Sequence, residues 1–285
     1  MIAYLFGLLS YLGWGTGDIF GAIAARKIGG FQSGFWVMTG AAILFMPLAF
    51  LYRQLLFSTP FPVVLLAFLS GFLYQSGNFA VSVALVESDV SIVLTIMGTF
   101  GALIVLFSTL FLHEPITLIE TGIITAIFSG VFLCTYKPGA KLDRRHMRGV
   151  WLALYAAVSF GLFFTILKTF TATLSWFWPL YLSFLWLPIF YLWFRQVRIP
   201  ISIVAFRKAR VPVIASLLLL RGGDLVFNVG LQKGLSLIVA PIGGASPTLS
   251  VILAFLVFHE KPTRRQLAGI ILALTGIVAL AFVGR

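Results

Sequence analysis

The chain has 285 residues, 60% of them hydrophobic and 10% charged, with a mean hydropathy of +1.07; soluble domains hold about 45–50% apolar and about 25% charged residues, so a water-soluble globular protein is excluded. The formal net charge of +12 suggests a polyanionic partner, yet Lys and Arg sit in short joints between apolar runs and make no basic face with interleaved aromatics, which excludes a nucleic-acid binder. The single cysteine, Cys134, lies in an apolar run; it allows no internal disulfide and reads as packing.

A bilayer core about 30 Å thick needs about 20 apolar residues of helix, with every backbone polar group bonded inside the protein. The sequence accordingly predicts spanning helices over Tyr4–Ala24, Gly34–Tyr52, Val63–Leu85, Val90–Leu112, Leu118–Tyr136, Gly149–Phe170, Trp176–Trp193, Val211–Leu231, Leu235–Phe258 and Leu267–Val283. Breaks fall at Gly29-Gly30, Ser58-Thr59-Pro60, Lys137-Pro138-Gly139 and Pro200, where turn formers or charge interrupt the apolar pattern. The first run lacks a cationic leader and matches Gly149–Phe170, so it is kept as structure and not as a cleaved signal.

The chain says one thing twice. Leu110-Phe111-Leu112-His113-Glu114 returns 146 residues on as Leu256-Val257-Phe258-His259-Glu260, and the same shift carries Gly15 onto Gly161, Gly77 onto Gly223, Gly98 onto Gly244 and Gly130 onto Gly276. A period near half the length points to duplication of a whole domain. The expected division is a first repeat over 1–137, a basic connecting loop over 138–148 and a second repeat over 149–285. Five helices is an odd number, so tandem copies cross the membrane in opposite senses. The predicted fold class is all-α: a polytopic membrane protein with ten transmembrane helices as two five-helix inverted-topology repeats, a recurrent design of secondary transporters. Fifteen Lys and Arg lie in the odd joints, against Arg53, Lys168, Lys233 and Arg285 in the even joints and at the C-terminus. The positive-inside rule then puts the odd joints in the cytoplasm and both termini outside.

These residues carry a family resemblance. A helix closing on Phe-Leu-His-Glu-Pro (111–115) followed by Gly122 and Gly130, the same pattern at Phe258-His259-Glu260 with Gly269 and Gly276, Trp14-Gly15 in the first helix, Ala84-Leu85 ending the third and Pro247 in the ninth resemble the EamA branch of the drug/metabolite transporter superfamily. The likeness covers nearly the whole chain and implies ten helices in two halves and a transporter of small metabolites, often an exporter of amino acids or related compounds. Two features depart from the pattern: the family's termini are usually cytoplasmic, and Gly101 stands where the ninth helix has Pro247. The small multidrug resistance relatives carry an essential glutamate in their first helix; Trp14 stands at the best match here, so their cation–proton exchange is not carried over.

Charge inside a bilayer costs about 2.5–3.5 kcal/mol on insertion scales and marks function. Three such residues occur, Asp18, Arg221 and Asp224. The 146-residue shift lands Gln75, Asn78 and Ser82 of the third helix on Arg221, Asp224 and Asn228 of the eighth, so two equivalent helices present polar stripes that are expected to face each other across a cavity. Arg221 and Asp224, three apart, are expected to pair. Asp18 has no local partner and is the candidate titrating, coupling group. Trp14 and Tyr74 are deep enough to stack on a substrate. The predicted substrate cavity is therefore Trp14, Asp18, Tyr74, Gln75, Asn78, Arg221, Asp224 and Asn228. Glycines in Gly13–Gly21, Gly98–Gly101 and Gly243-Gly244 suit close or movable packing. Trp176, Trp178 and Trp193 read as an interfacial belt.

Neither His113-Glu114 nor His259-Glu260 forms H-E-x-x-H, because Thr117 and Thr263 occupy the second His position; no metal is expected, and Glu114 and Glu260 are expected to cap the turn into the following helix. No G-x-x-x-x-G-K-[ST] motif occurs, so no nucleotide or other cofactor is expected. The resulting expectation is a non-enzymatic, secondary-active exporter of a small organic metabolite such as an amino acid. It would sit as a multi-pass protein in a bacterial or archaeal plasma (inner) membrane, with lipid as surroundings and protons as a candidate coupling ion; oligomeric state is not legible. The alternatives are an uncoupled channel or facilitator and a polytopic membrane enzyme.

Overall fold

The computed structural model describes residues 2–113, 115–135, 143–232, 239 and 242–283. All regular structure among the described residues is helical: α1 (Ile2–Ile28), α2 (Gly30–Leu51), α3 (Arg53–Ser58), α4 (Phe61–Glu87), α5 (Val90–Gly98), α6 (Phe100–Leu112), α7 (Leu118–Thr135), α8 (Arg144–Leu174), α9 (Phe177–Ser183), a 3-10 turn at Phe184–Trp186, α10 (Leu187–Gln196), α11 (Ile203–Gln232), α12 (Ser246–Phe258) and α13 (Arg264–Val283). Among the described residues five stretches are long and apolar enough to cross a bilayer, Gly30–Leu51, Phe61–Glu87, Val90–Leu112, Arg144–Leu167 and Phe177–Gln196; Leu118–Leu133 and Ile242–Phe258 are shorter apolar helices. Side chains such as Leu5, Leu8, Leu12, Leu65, Leu66, Leu69 and Phe72 are exposed on the outside. Alanines such as Ala22, Ala24, Ala25, Ala84 and Ala153 and hydroxyls such as Ser10, Thr95 and Ser250 fill the inside. An apolar exterior over a small-residue, partly polar interior is what lipid demands.

Each expected segment overlaps a helix, with four differences. The segment read as one helix over 90–112 breaks at Thr99 (φ −74°, ψ −8°), and the helix of the second half breaks at the equivalent Ala245 (φ −79°, ψ −1°). Pro47 and Pro212 lie inside helices; the Pro212 ring crowds the carbonyl four residues back, and α11 is bent at Ala209 (φ −118°, ψ 18°). The expected connecting loop is shorter than predicted: residues 138–142 lie outside the described residues, while Arg144–Arg148 form the first turn of α8. Asp143 caps it by accepting the Arg145 amide at 3.0 Å, and no Gly or Pro opposes helix there. The indoles of Trp176 and Trp178 are in the core, not an outer belt; Trp178 Nε1 donates to the Tyr52 carbonyl at 2.9 Å. Trp193 is half exposed. In the ninth expected helix, residues 235–238, 240 and 241 lie outside the described residues.

The main packings are α1 on α11, α4 on α8 and α7 on α13. Glycine makes them possible, since without a hydrophobic drive between helices in lipid, association rests on close approach. Gly13, Gly17 and Gly21 lie on one face of α1; a Cβ on Gly13 would stand 2.8 Å from the Leu219 carbonyl oxygen, and one on Gly17 2.8 Å from Leu220 Cγ. The contacts also exchange between halves under the 146-residue shift. Gly15 meets Leu249 as Gly161 meets Leu103; Gly77 meets Phe160 as Gly223 meets Trp14; Gly130 meets Gly269 and Ala273 as Gly276 meets Ile123 and Ile127. Contacts made by one half thus recur in the other with the partners exchanged.

Within α7, a Cβ on Gly130 would lie 2.6 Å from the Ala273 nitrogen, whereas one on Gly122 meets nothing within 4 Å. Gly130→Ala is expected to destabilise by about 1–3 kcal/mol through overpacking, and Gly122→Ala to stabilise by up to about 1 kcal/mol through helix propensity. Thermal unfolding in detergent checks both; equal midpoints for the two variants would refute the close α7–α13 crossing.

Candidate functional site

The α1–α11 crossing builds the candidate site. Because Gly223 carries no side chain, the Trp14 indole lies against α11. Its Nε1 donates to Asp224 Oδ1 at 2.8 Å, and its ring lies 4.8 Å from that of Phe227. The expected pair is present: Arg221 Nη1 stands 2.7 Å from Asp224 Oδ2. The same Nη1 donates to the Tyr74 hydroxyl of α4 at 2.9 Å, joining the two halves. Tyr74 is walled by Phe160, Phe163 and Phe164 of α8, with ring centroids 4.9–6.3 Å away. Arg221 is buried with its side chain 5% exposed, against 19% for Asp224. A buried guanidinium held by a carboxylate and a phenol is partly compensated.

Asp18 sits one turn along α1 from Trp14. Its Oδ2 accepts from Ser250 Oγ of α12 at 3.0 Å, and Arg221 acts on it through space. Thr248, two residues before Ser250, shares a hydrogen bond of 3.2 Å with the Tyr11 hydroxyl of α1. The first turns of α12, just after the break at Ala245, thus face α1 with two hydroxyls. Trp14, Asp18, Tyr74, Arg221 and Asp224 are brought together.

The amides behave otherwise. Gln75 is fully buried and donates through Nε2 to Ser183 Oγ of α9 at 3.2 Å, so it points away from Arg221 and into a helix contact. Asn78 donates to the Tyr74 carbonyl at 2.8 Å, and Asn228 to the Asp224 carbonyl at 2.8 Å; both bond their own helix. The two stripes therefore do not oppose each other. The reason is geometric: α4 packs on α8 and α11 on α1, so equivalent faces of α4 and α11 meet different partners, and Tyr74, not Gln75, reaches Arg221.

The capping expectation is also corrected. Glu114 lies outside the described residues. Glu260 does cap a helix, but the wrong one for the prediction: Oε1 accepts the Val90 amide at 2.7 Å and Oε2 the Ser91 amide at 2.9 Å, so it caps α5 of the other half. The helices that follow are closed by reciprocal capping boxes, Thr117 with Glu120 and Thr263 with Gln266, in the pattern of a threonine followed three residues on by Glu or Gln. His113 and His259 end α6 and α12 in left-handed conformation, φ 55° and 51°. Among the described residues no group of three His, Cys, Asp or Glu side chains is arranged for a metal.

Sequence reasoning missed Ser250, Thr248 and Tyr11, single hydroxyls with no periodic pattern. It also missed Trp36 and Thr39 of α2 and Ser216 of α11, whose Nε1 and Oγ atoms are buried with no hydrogen-bond partner among the described residues, as is Arg221 Nε. Buried unsatisfied donors in a native fold call for an explanation, and these lie on helices that pack together, α2 against α11. Trp36 and Thr39, three apart in an otherwise apolar run, were the available signal.

Comparison with known proteins fits this architecture. A solved structure described as "Crystal structure of protein" matches over 97% of this chain and 96% of its own with a TM-score of 0.56 and 18% identity, which speaks to the fold alone. No curated protein matches. The EamA-like transporter family matches the chain twice, over residues 1–136 and 147–282. Two successive matches that take in nearly all of the sequence leave one conclusion: the chain is a multi-pass membrane protein that belongs to the EamA-like transporter family.

Proposed function

We propose that this transporter is a secondary-active carrier that exports a small organic metabolite, an amino acid or a related compound, by alternating access at the α1–α4–α11–α12 site. Ten spanning helices in two inverted five-helix repeats, in the plasma membrane of a bacterium or archaeon, are part of the same reading. One observation carries it: the helices interrupted at Thr99 and Ala245 stand at equivalent places in the two halves, and Ser250, in the first turns after the second break, bonds Asp18. Paired interruptions in corresponding helices of the two halves are a pointer to the substrate site in inverted-repeat transporters, and here each is a single tightened turn that keeps helical dihedrals.

The residues divide by role. Arg221, Asp224, Trp14 and Tyr74 form a braced polar wall that orients the substrate, with Asn78 and Asn228 along its edges. Gln75 supports that wall through Ser183. Asp18, part-buried and held by one serine, is the group that takes up and releases a proton as the site turns from one side to the other.

With Asp18→Asn, pH-gradient-driven uptake of a panel of labelled amino acids and small organic cations into proteoliposomes is expected to fall about tenfold or more, while folding is retained. Flux that needs no gradient and is equal in parent and variant would establish an uncoupled facilitator instead.

Arg221→Gln is expected to destabilise by about 3–5 kcal/mol, since it strands a buried carboxylate. Adding Asp224→Asn recovers most of that loss without restoring transport. Unfolding midpoints in detergent, alongside the flux assay, check both halves of the statement; a single variant as stable as the parent would show that the pair is already solvated.

A further inference from the structure

At one end of the bundle, side chains of both halves close around the turn between α4 and α5. Glu260, with its side chain 9% exposed, fixes the first two amides of α5 as described above. Arg26, at the end of α1, reaches Glu260 Oε1 at 3.4 Å, donates through Nε to the Leu85 carbonyl at 3.2 Å, and lies over the Phe258 ring with its guanidinium carbon 4.3 Å from the centroid. On the other side of the turn, Arg148 pairs with Glu87 at 3.2 Å, Arg145 donates to the Val86 carbonyl at 3.2 Å, and Ser88 shares a 3.0 Å hydrogen bond with His146. A Cβ on Gly149 would stand 2.7 Å from Ser88 Cβ. Four helix ends, α1, α4, α8 and α12, thus converge on the start of α5.

The sequence provides this clasp once. Under the 146-residue shift Glu260 corresponds to Glu114, but Arg26 corresponds to Ala172, Phe258 to Leu112, and Glu87 to Lys233. The sequence therefore does not repeat the cation, its aromatic seat or the acid of the second ion pair at the equivalent positions. This end is also the one that carries the excess of Lys and Arg, which the positive-inside rule assigns to the cytoplasm.

We infer that the Arg26–Glu260 clasp is a gate, closed in this structure, and that its presence at one end only biases the resting protein toward being shut on the Lys/Arg-rich side. The inference extends the alternating-access reading and takes its meaning from it, but its readout is a distance and not a flux. Opening this end must pull Glu260 from the α5 amides, breaking charge-assisted hydrogen bonds that are about twice as strong as neutral ones. A ligand or proton at the central site must outweigh that difference before the gate yields.

Nitroxide pairs placed in a Cys134→Ser background test it in nanodiscs of phosphatidylcholine and phosphatidylglycerol. One pair, Lys27→Cys with Arg264→Cys, spans the clasped end; its equivalents under the shift, Thr173→Cys with Leu118→Cys, span the other. The parent is expected to give one short distance at 27/264. Arg26→Gln, which leaves the α5 cap in place, and Glu260→Gln are each expected to raise a longer component about tenfold while the 118/173 distance shortens. Unchanged 27/264 distances in Arg26→Gln, with the protein monodisperse, overturn the gate; should Glu260→Gln fail to fold, Arg26→Gln and Arg148→Gln still decide. Lengthening at 27/264 with no change at 118/173 upholds the gate and instead refutes alternating access.

Discussion

Helices in lipid gain nothing by hiding apolar side chains from one another, so a bundle holds only where backbones come close enough for dispersion and short polar contacts to act. In this protein that constraint is met by glycine at the crossings. Gly13, Gly17 and Gly21 let α1 lie along α11, and Gly130 and Gly276 do the same for α7 and α13. The site depends on the first of these. Trp14 reaches Asp224 because Gly223 gives the indole room, and Asp18 stands within the influence of Arg221 because the two backbones nearly touch. A millimetric account of the charges alone would miss this: the glycines, none of which can bind anything, decide which polar groups meet.

The exchanged contacts let the two halves be compared position by position. Where one crossing holds Trp14 and Asp18, the equivalent crossing holds Phe160 and Phe164; where one holds Arg221, Asp224 and Ser250, the other holds Gln75, Asn78 and Ile104. The backbone arrangement is shared, and Gly77 meets Phe160 as Gly223 meets Trp14. What differs is the chemistry, ionic on one side and aromatic or amide on the other. Duplication therefore supplied a symmetric frame, and substitution concentrated the charge in one of its two crossings. Paired charge is tolerated inside a membrane far better than scattered charge, because each partner lowers the other's cost of leaving water.

How much of this was legible in the sequence follows from what each signal encodes. Apolar run length encodes spanning helices, and the helices lie where the runs are. A fixed 146-residue shift encodes duplication, and it carried over into contacts as well as motifs. Helical spacing encodes which residues share a face, but not which neighbour that face meets. Hence Gln75 was grouped with Arg221 by register although it bonds Ser183, while Tyr74, one residue away on an adjacent face, makes the contact with Arg221. Glu260 was recognised as a capping residue and assigned to the nearest helix, since sequence distance says nothing of a helix start 170 residues away. The breaks at Thr99 and Ala245 were not expected, since both segments read as unbroken apolar runs, although Pro247 lies two residues beyond the second.

The exchange of contacts between the halves would have an energetic consequence for the proposed alternation. Two identical halves would have two arrangements, one closed at each end, that are mirror uses of the same contacts and equal in free energy; each would be half populated. Every substitution that makes the halves unlike adds a difference, and a few charge-assisted contacts at one end suffice to move such an equilibrium by one or two orders of magnitude. Arg26, Glu87 and Arg148 are substitutions of that kind. On the alternating-access proposal, ends and centre would act on one equilibrium from separate places, and a ligand bound near the middle would decide which end opens.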